Sequence, residues 1–384
     1  MKMQLTYLSL GSNIGDKEKN IQSALNDIDK IIGDIISISK LYENSSVGFS
    51  GDLFYNCCIG VKTILNPNDL LKNLLIIEEK GGRIRKNPKS YSSRTIDIDI
   101  LFYENQTIIS KNLNIPHPKL HEREFVIKPL LDIAKGKIHP SLKKSILEIN
   151  DGLKGFQEFK EVDSEIQNPV FNTLSNYNNI VIEGNIGIGK TSLSKKLSND
   201  LNKNLILEGF KENPFLEKFY NDPKRYALNL ELTFLVDRCR QLNDYKNQLD
   251  LFKTGVVFDY DIVKSLIFAG VTLSENDFNL YRNIYYFMTK DLITPNLIIC
   301  LMQTPENLLL NIEKRGRYFE KKINKEYLKK INQAYMKLFK SKTDWNILFI
   351  DVSDIDFVEN EGHYLELLFR IKHSLSKSIK KFPN

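Results

Sequence analysis

The sequence predicts two unlike α/β domains in series, and three observations predict them. A chain of 384 residues exceeds what a single hydrophobic core usually serves. Strand-like and helix-like segments alternate in both halves, with no internal repeat between them. The pattern lapses between Asp151 and Asn179, a polar stretch with Gly152, Gly155 and Asn168-Pro169, and then restarts with an apolar strand, a glycine-rich turn and a helix. The expected divisions are a first domain over 1–152, a linker over 153–177 and a second domain over 178–384.

In the first half, Leu5 to Leu10 alternates as a strand. Asp16 to Ile32 follows helical spacing through Ile21, Leu25, Ile28 and Ile32. Phe54 to Thr63 and Thr95 to Tyr103 are further strands, and between them Pro67 and Asp69 open a helix through Leu70, Leu71, Leu74 and Ile77. In the second half, Ile180-Val181-Ile182 begins a parallel sheet that continues at Leu205 to Leu207, Val256 to Phe258, Leu297 to Leu301 and Ile347 to Val352.

A formal charge of +6 spread among many acids suits anionic small-molecule substrates without requiring nucleic acid. Four cysteines without CxxC spacing point to a reducing cytoplasm. No run reaches bilayer-spanning length, so neither membrane nor targeting segment is expected. The five histidines form no evident metal constellation: His117 and His121 sit in a Pro-His-Pro context that argues against a helix, and His139, His363 and His373 stand apart.

Gly184-Asn185-Ile186-Gly187-Ile188-Gly189-Lys190-Thr191 fits GxxxxGK[ST] between a strand and a helix. The glycines let backbone N–H groups turn toward phosphate oxygens at a helix N-terminus. Lys190 supplies a positive charge and Thr191 a hydroxyl for magnesium, so Mg-ATP is the implied cofactor. Glu208, at a strand end beside such a cleft, is placed to act as a base, with Glu212 as the competitor.

Together with the P-loop, the segments Phe215 to Ala227, Phe234 to Arg238 and Lys314 to Glu320 resemble the deoxyribonucleoside kinase family from about Asn178 onward. The resemblance implies a five-stranded parallel sheet ringed by helices. It makes Glu208 the carboxylate that takes the proton of the sugar 5′-hydroxyl, Tyr220 and Glu320 the pair that binds the 3′-hydroxyl, and Arg315 and Arg317 the lid arginines over the phosphates. Two positions depart from the family: Glu231 stands where many members have glutamine, and Tyr260 stands where an arginine follows Asp259. An ionised Glu231 only accepts hydrogen bonds, which suits an exocyclic amino group or the guanine N–H edge. Arg238, two turns later on the same face, is expected to assist at a purine N7. The favoured acceptor is deoxyadenosine, then deoxyguanosine, then deoxycytidine. Asp259 or Asp261 is expected to help position magnesium or phosphate.

In the first half, Arg94-Thr95-Ile96-Asp97-Ile98-Asp99-Ile100 puts two carboxylates on one strand face, an arrangement for one or two hard cations, with Arg83, Arg85, Lys86, Lys89 and Arg94 nearby for a polyphosphate. With Tyr7 to Asp16, Phe54 to Asn56 and Pro116 to Phe125, this half resembles 6-hydroxymethyl-7,8-dihydropterin pyrophosphokinase, a ferredoxin-like α/β sandwich that transfers pyrophosphate from ATP to a pterin in folate synthesis. The resemblance makes Asp97 and Asp99 magnesium ligands and Arg83, Arg85 and Arg94 phosphate contacts. Glu78 and His117 match ATP-contacting positions, and Tyr55, Asn56 and Phe125 the pterin pocket. Ser45-Ser46 and Tyr91 depart from the usual loops. The expectation is thus a bifunctional enzyme, and the resemblance to the kinase family implies a homo-oligomer. The alternative is that one half, more plausibly the kinase, has become a binding or oligomerisation module.

Overall fold

The computed structural model describes residues 3–46, 48–83, 92–153, 159–209, 213–248 and 255–379. Arg85, Lys86, Lys89, Tyr91 and Glu212 lie outside the described residues. The chain divides into two compact units, Met1–Asn172 and Thr173–Asn384.

The first unit contains β1 (Gln4–Ser12), α1 (Lys17–Ile31), β2 (Gly33–Ile38), β3 (Leu41–Asn44), β4 (Phe54–Thr63), α2 (Pro67–Lys80), β5 (Asp97–Tyr103), β6 (Ile108–Ile109), β7 (Asn114–Ile115), α3 (Glu124–Ala134), α4 (Ile146–Gly152), β8 (Lys160–Val162) and α5 (Val170–Ser175), the last of which crosses the boundary between units. Its main sheet is antiparallel, ordered β5-β1-β4-β3-β8, with β2 also pairing β4. The βαββαβ succession β1-α1-β2-β4-α2-β5 with strand order β5-β1-β4-β2 is the ferredoxin-like arrangement expected for this half.

Asp16 caps α1 by accepting from the Lys19 amide, and Asn66 caps α2 with Pro67 behind it. Both helices lay Ile21, Leu25, Ile28, Leu70, Leu74 and Ile77 on one sheet face, against Leu8, Leu10, Ile59 and Val61. On the other face Val126, Ile127 and Leu130 of α3 and Ile146 of α4 pack against Cys58, Leu101 and Phe102. Ile98 and Ile100 belong to the first core, yet Leu101 and Phe102 both belong to the second. The register of β5 against β1 shifts between Tyr7 and Leu8, and this bulge breaks the two-residue alternation. The stretch expected as a linker carries β8, which extends the sheet by pairing with β3, and Glu165 and Gln167 donate their amides to Glu18 and Gln22 of α1.

The second unit contains β9 (Asn179–Gly184), α6 (Lys190–Asp200), β10 (Asn204–Ile206), α7 (Leu216–Asn221), α8 (Pro223–Asn247), β11 (Val256–Phe258), α9 (Lys264–Thr272), α10 (Glu275–Thr289), β12 (Leu297–Met302), α11 (Pro305–Arg315), α12 (Lys325–Ser341), β13 (Ile347–Asp351) and α13 (Glu361–Ile379). The five strands are parallel in the order β10-β11-β9-β12-β13. The three central strands are buried on both faces and read as apolar runs, whereas β10 and β13 at the edges are partly exposed. The chain departs from β9 in both directions, so the crevice at its carboxyl end is where such a sheet receives ligands. Among the described residues no helix is long and apolar enough to cross a membrane.

Candidate active sites

In the first unit, Ile98 and Ile100 point to the α1/α2 core, so Asp97 and Asp99 project from the opposite face of β5. Gly11 of β1 pairs with Asp97 on one side and with Asn56 of β4 on the other, while Ser9 pairs with Asp99. Three adjoining strands thus present Asp97, Asp99 and Asn56 to one cleft of about 270 Å³, which Arg94, Arg123, Phe54 and Phe125 also line. Gly11 is required by close approach: a Cβ there would lie 2.7 Å from Asn56 Oδ1. Asn56 is buried and donates to Asn44 Oδ1 at 2.6 Å, which fixes its amide at the cleft wall.

Opposite charges surround the two carboxylates. Arg83 donates to both Asp97 and Glu78, and Arg94 Nη1 stands 3.0 Å from Asp97 Oδ2. Arg123 Nη1 stands 3.5 Å and His117 Nε2 3.9 Å from Asp99 Oδ2. Burial at the cleft floor and the neighbouring Asp97 push the Asp99 carboxyl up to about 7, against the pull of Arg123. Burial, aided by Arg123, lowers His117 to about 4, so the imidazole is neutral at physiological pH and accepts from the Lys119 amide. Glu78 is buried and accepts from the Ile98 amide at 2.8 Å, joining α2 to the edge strand.

One expected pocket residue is corrected. Tyr55 follows Phe54 on β4 and must face the other way; it packs against the α1/α2 core with Lys17 Nζ 3.8 Å above its ring. Phe54 takes its place, stacked edge-on with Phe49 at 6.2 Å and approached by the Arg94 guanidinium at 5.6 Å. Phe125 lines the same cleft with the Arg123 guanidinium 5.5 Å away.

In the second unit, Gly184, Gly187 and Gly189 have φ of +141°, +81° and +93°. Gly189 has the further constraint that a Cβ would lie 2.8 Å from the Phe357 ring. Lys190 Nζ donates to the carbonyls of Gly184 and Asn185 at 2.9 Å each, and burial and the nearby Lys264 lower it to about 8. The buried Asn185 side chain anchors the loop to α12, donating to Leu328 O and Asn332 Oδ1 at 2.8 Å. Thr191 Oγ1 donates to Asp259 Oδ2 at 2.6 Å, and Asp259 Oδ1 accepts the Glu208 amide at 2.7 Å. Asp259 therefore meets the P-loop. Asp261 turns away, accepting the Val263 amide and donating its own to the buried Glu183.

Glu208 lies in the cleft with Lys190 and Thr191. Arg238 donates to its Oε1 from Nε at 2.9 Å and Nη2 at 2.6 Å, and Lys264 Nζ is 2.5 Å from Oε2. Burial alone would raise this carboxyl, but Lys264 and Arg238 hold it well below the usual carboxylate range. Arg238 serves Glu208 and α9 while lining the cleft beside Glu231: Nη1 donates to Ser265 Oγ at 2.6 Å, and Nη1 and Nη2 each carry a second N–H.

Tyr220, Glu231, Arg315, Arg317 and Glu320 line the same cleft. Glu320 accepts from Arg315 Nε at 3.1 Å and Arg317 Nη1 at 3.4 Å, and Tyr220 stacks on Phe319 at 6.1 Å. Glu231 is buried and accepts from Thr272 Oγ1 at 3.1 Å; burial, outweighing Arg238, pushes it up to about 7. Lys264 is the residue that sequence reasoning missed, and its one signal is a lysine inside the apolar run Val263 to Ala269. This convergence gives no support to a kinase half reduced to a binding module.

A P-loop with a carboxylate held across its mouth defines a phosphotransferase in the second unit, and paired aspartates facing an aromatic cleft define a separate site in the first. Residues 180–376 match the family described as deoxynucleoside kinase, and residues 7–135 the 7,8-dihydro-6-hydroxymethylpterin-pyrophosphokinase family. The deoxyguanosine kinase of Bacillus subtilis is 38% identical over 197 residues, 50% of this chain and 95% of that protein. The 2-amino-4-hydroxy-6-hydroxymethyldihydropteridine pyrophosphokinase of Aquifex aeolicus is 38% identical over 147 residues, 38% of this chain and 90% of that protein. A solved structure of deoxyadenosine kinase from M. mycoides with bound dATP is 25% identical, covering 51% of this chain and 98% of that one, at a TM-score of 0.44. The chain spans 21% and 19% of the length of the folic acid synthesis proteins it matches in Dictyostelium discoideum and Pneumocystis carinii. The chain belongs to both families, a hydroxymethylpterin pyrophosphokinase in its first half and a deoxynucleoside kinase in its second.

Proposed function

We propose that the first unit transfers pyrophosphate from ATP to 6-hydroxymethyl-7,8-dihydropterin, releasing AMP, and that the second phosphorylates the 5′-hydroxyl of a purine deoxynucleoside, releasing ADP. The observation that carries the first reading is Asp97 and Asp99 facing Asn56, Phe54 and Phe125 across one cleft. For the second it is Glu208 poised beside Lys190 and Thr191. The test is product formation: AMP dependent on the pterin and ADP dependent on a deoxynucleoside, with absence of either product rejecting that half.

The donor sets fit magnesium. Asp97 and Asp99 offer hard oxygens on one face, and Thr191 and Asp259 another pair 2.6 Å apart. At either place the ion would complete its shell with phosphate and water. Bound there, it would polarise the phosphoryl oxygens. Arg83, Arg94 and His117 would orient the triphosphate in the first unit, and Phe54 and Phe125 would sandwich the pterin while Asn56 reads its edge. In the second, Arg315 and Arg317 would close on the phosphates, Tyr220 and Glu320 would hold the 3′-hydroxyl, and Glu208 would receive the 5′ proton.

Deoxyadenosine is the preferred acceptor in this reading, because a neutral Glu231 carboxyl donates to adenine N1 and accepts from N6–H, as an amide would. Ionised, it accepts from guanine N1–H and N2–H instead. With Glu231 near 7, the deoxyadenosine to deoxyguanosine ratio of kcat/KM should fall as pH rises through that value. A change of about tenfold between about pH 6 and about pH 8 corresponds to one hydrogen bond of about 1.4 kcal/mol. A ratio that does not move with pH removes Glu231 from base selection. A homo-oligomer is proposed through α10, where Leu280 and Phe287, seven residues apart, are 54% and 86% exposed; light scattering giving a monomer mass rejects it.

A further inference from the structure

We propose that Lys264 is a catalytic residue of the deoxynucleoside kinase site, placed by α9 beside the attacking 5′-oxygen to neutralise the charge of the transferring phosphoryl group. The inference rests on the kinase reading and goes beyond it, since Tyr260, next to Asp259, contributes nothing to the cleft. Its ring is fully buried and its hydroxyl donates to Gln241 Oε1 at 2.7 Å.

The argument is one of lone pairs. An ionised carboxylate offers about two acceptor directions on each oxygen. Among the described residues, Glu208 Oε1 is filled by two bonds from Arg238, whereas Oε2 has one bond, from Lys264 Nζ at 2.5 Å. The direction left for the substrate hydroxyl is therefore on Oε2, and a hydroxyl bound there adjoins the ammonium. Lys264 has three N–H donors and its side chain lines the cleft that holds Lys190 and Thr191. It is buried, in a setting where a fixed charge acts more strongly than in water.

In the step itself, the 5′-oxygen forms its bond to the γ-phosphorus of ATP while the bond from that phosphorus to the β,γ-bridging oxygen breaks. The 5′ proton passes to Glu208 Oε2 and ADP leaves with the bond's electron pair. As the hydroxyl oxygen loses its proton, the Lys264 ammonium, bonded to the same carboxylate oxygen, would stabilise the charge that develops beside it. Lys190, near Lys264 in the same cleft, grips the loop carbonyls at 2.9 Å.

The charged groups facing Glu208 are Arg238 and Glu231 from α8, Lys264 from α9, Lys190 from α6 and Asp259 at the end of β11. Removing Lys264 leaves Arg238 as the one cation bonded to it, so Glu208 should titrate higher and the acid limb of kcat/KM should move to higher pH. The experiment compares Lys264→Met, Lys264→Arg and Lys264→Ala in the full chain, with ADP release on deoxyadenosine as readout and thermal melting as a folding check. Lys264→Met is expected to lose about 10²-fold in kcat with a smaller change in KM, Lys264→Arg to keep most activity, and ethylamine to restore part of the rate of Lys264→Ala. A folded Lys264→Met with wild-type kcat and an unmoved acid limb overturns the proposal, as does Lys264→Arg no better than Lys264→Met. Absence of deoxynucleoside-dependent ADP from the wild-type chain would instead reject the kinase reading beneath it.

Discussion

Asp97→Ala should lower pterin-dependent AMP formation by about 10³-fold, equivalent to about 4 kcal/mol of barrier, while ADP formation on a deoxynucleoside stays at its wild-type rate. Asp97 is the convergence point of its cleft, held by both Arg83 and Arg94. Alanine removes the oxygen donor but leaves two cations that still attract polyphosphate. Affinity for ATP should therefore fall far less than kcat, a signature that simple misfolding would not give. Asp97→Asn keeps the shape and should behave similarly, because an amide is a poor ligand for a hard cation. AMP formation near wild type in both variants removes Asp97 from the chemistry.

Glu208→Gln should lower kcat of the kinase half by about 10²-fold to 10⁴-fold, the range of general-base catalysis. Because Lys264 and Arg238 hold the carboxyl far below its usual range, the proposed base stays ionised throughout neutral pH, and its proton affinity is low. It suits a reaction in which the 5′-hydroxyl becomes acidic only as its oxygen bonds phosphorus, so proton acceptance comes late. The variant carries a second cost. An amide leaves the charges of Lys264 and Arg238 uncompensated, and breaking such a buried pair costs about 3 kcal/mol. The Glu208→Gln chain should melt measurably lower than wild type, and Glu208→Gln with Lys264→Met should recover part of that stability without recovering turnover. Wild-type kcat for Glu208→Gln would exclude it as the base.

Much of this architecture was legible in the sequence where one local pattern determines one structural result. The P-loop needs glycines at set positions and found them between a strand and a helix. The Asp97-Ile98-Asp99-Ile100 alternation names a face by itself. Short strands were less legible: β2, β3 and β8 are too short for a periodicity of their own to stand out and form by pairing with β4 or β3. The exchange of Phe54 for Tyr55 was avoidable, since Asn56 and its neighbour cannot share a face. The partner of Arg238 could not be read from spacing. Its bonds to Glu208 and Ser265 depend on how α8, α9 and the end of β10 come together.

The carboxylate of Asp259 joins two events that are usually described apart. One oxygen receives the Thr191 hydroxyl of the P-loop, and the other receives the amide of Glu208, the proposed base. In the proposed kinase reaction, the spacing between the phosphoryl donor and its acceptor would be gauged by the width of a single carboxyl group. A longer acid at that place would move the two reactants out of step together, so grip on nucleotide and alignment of the sugar hydroxyl cannot be tuned one at a time.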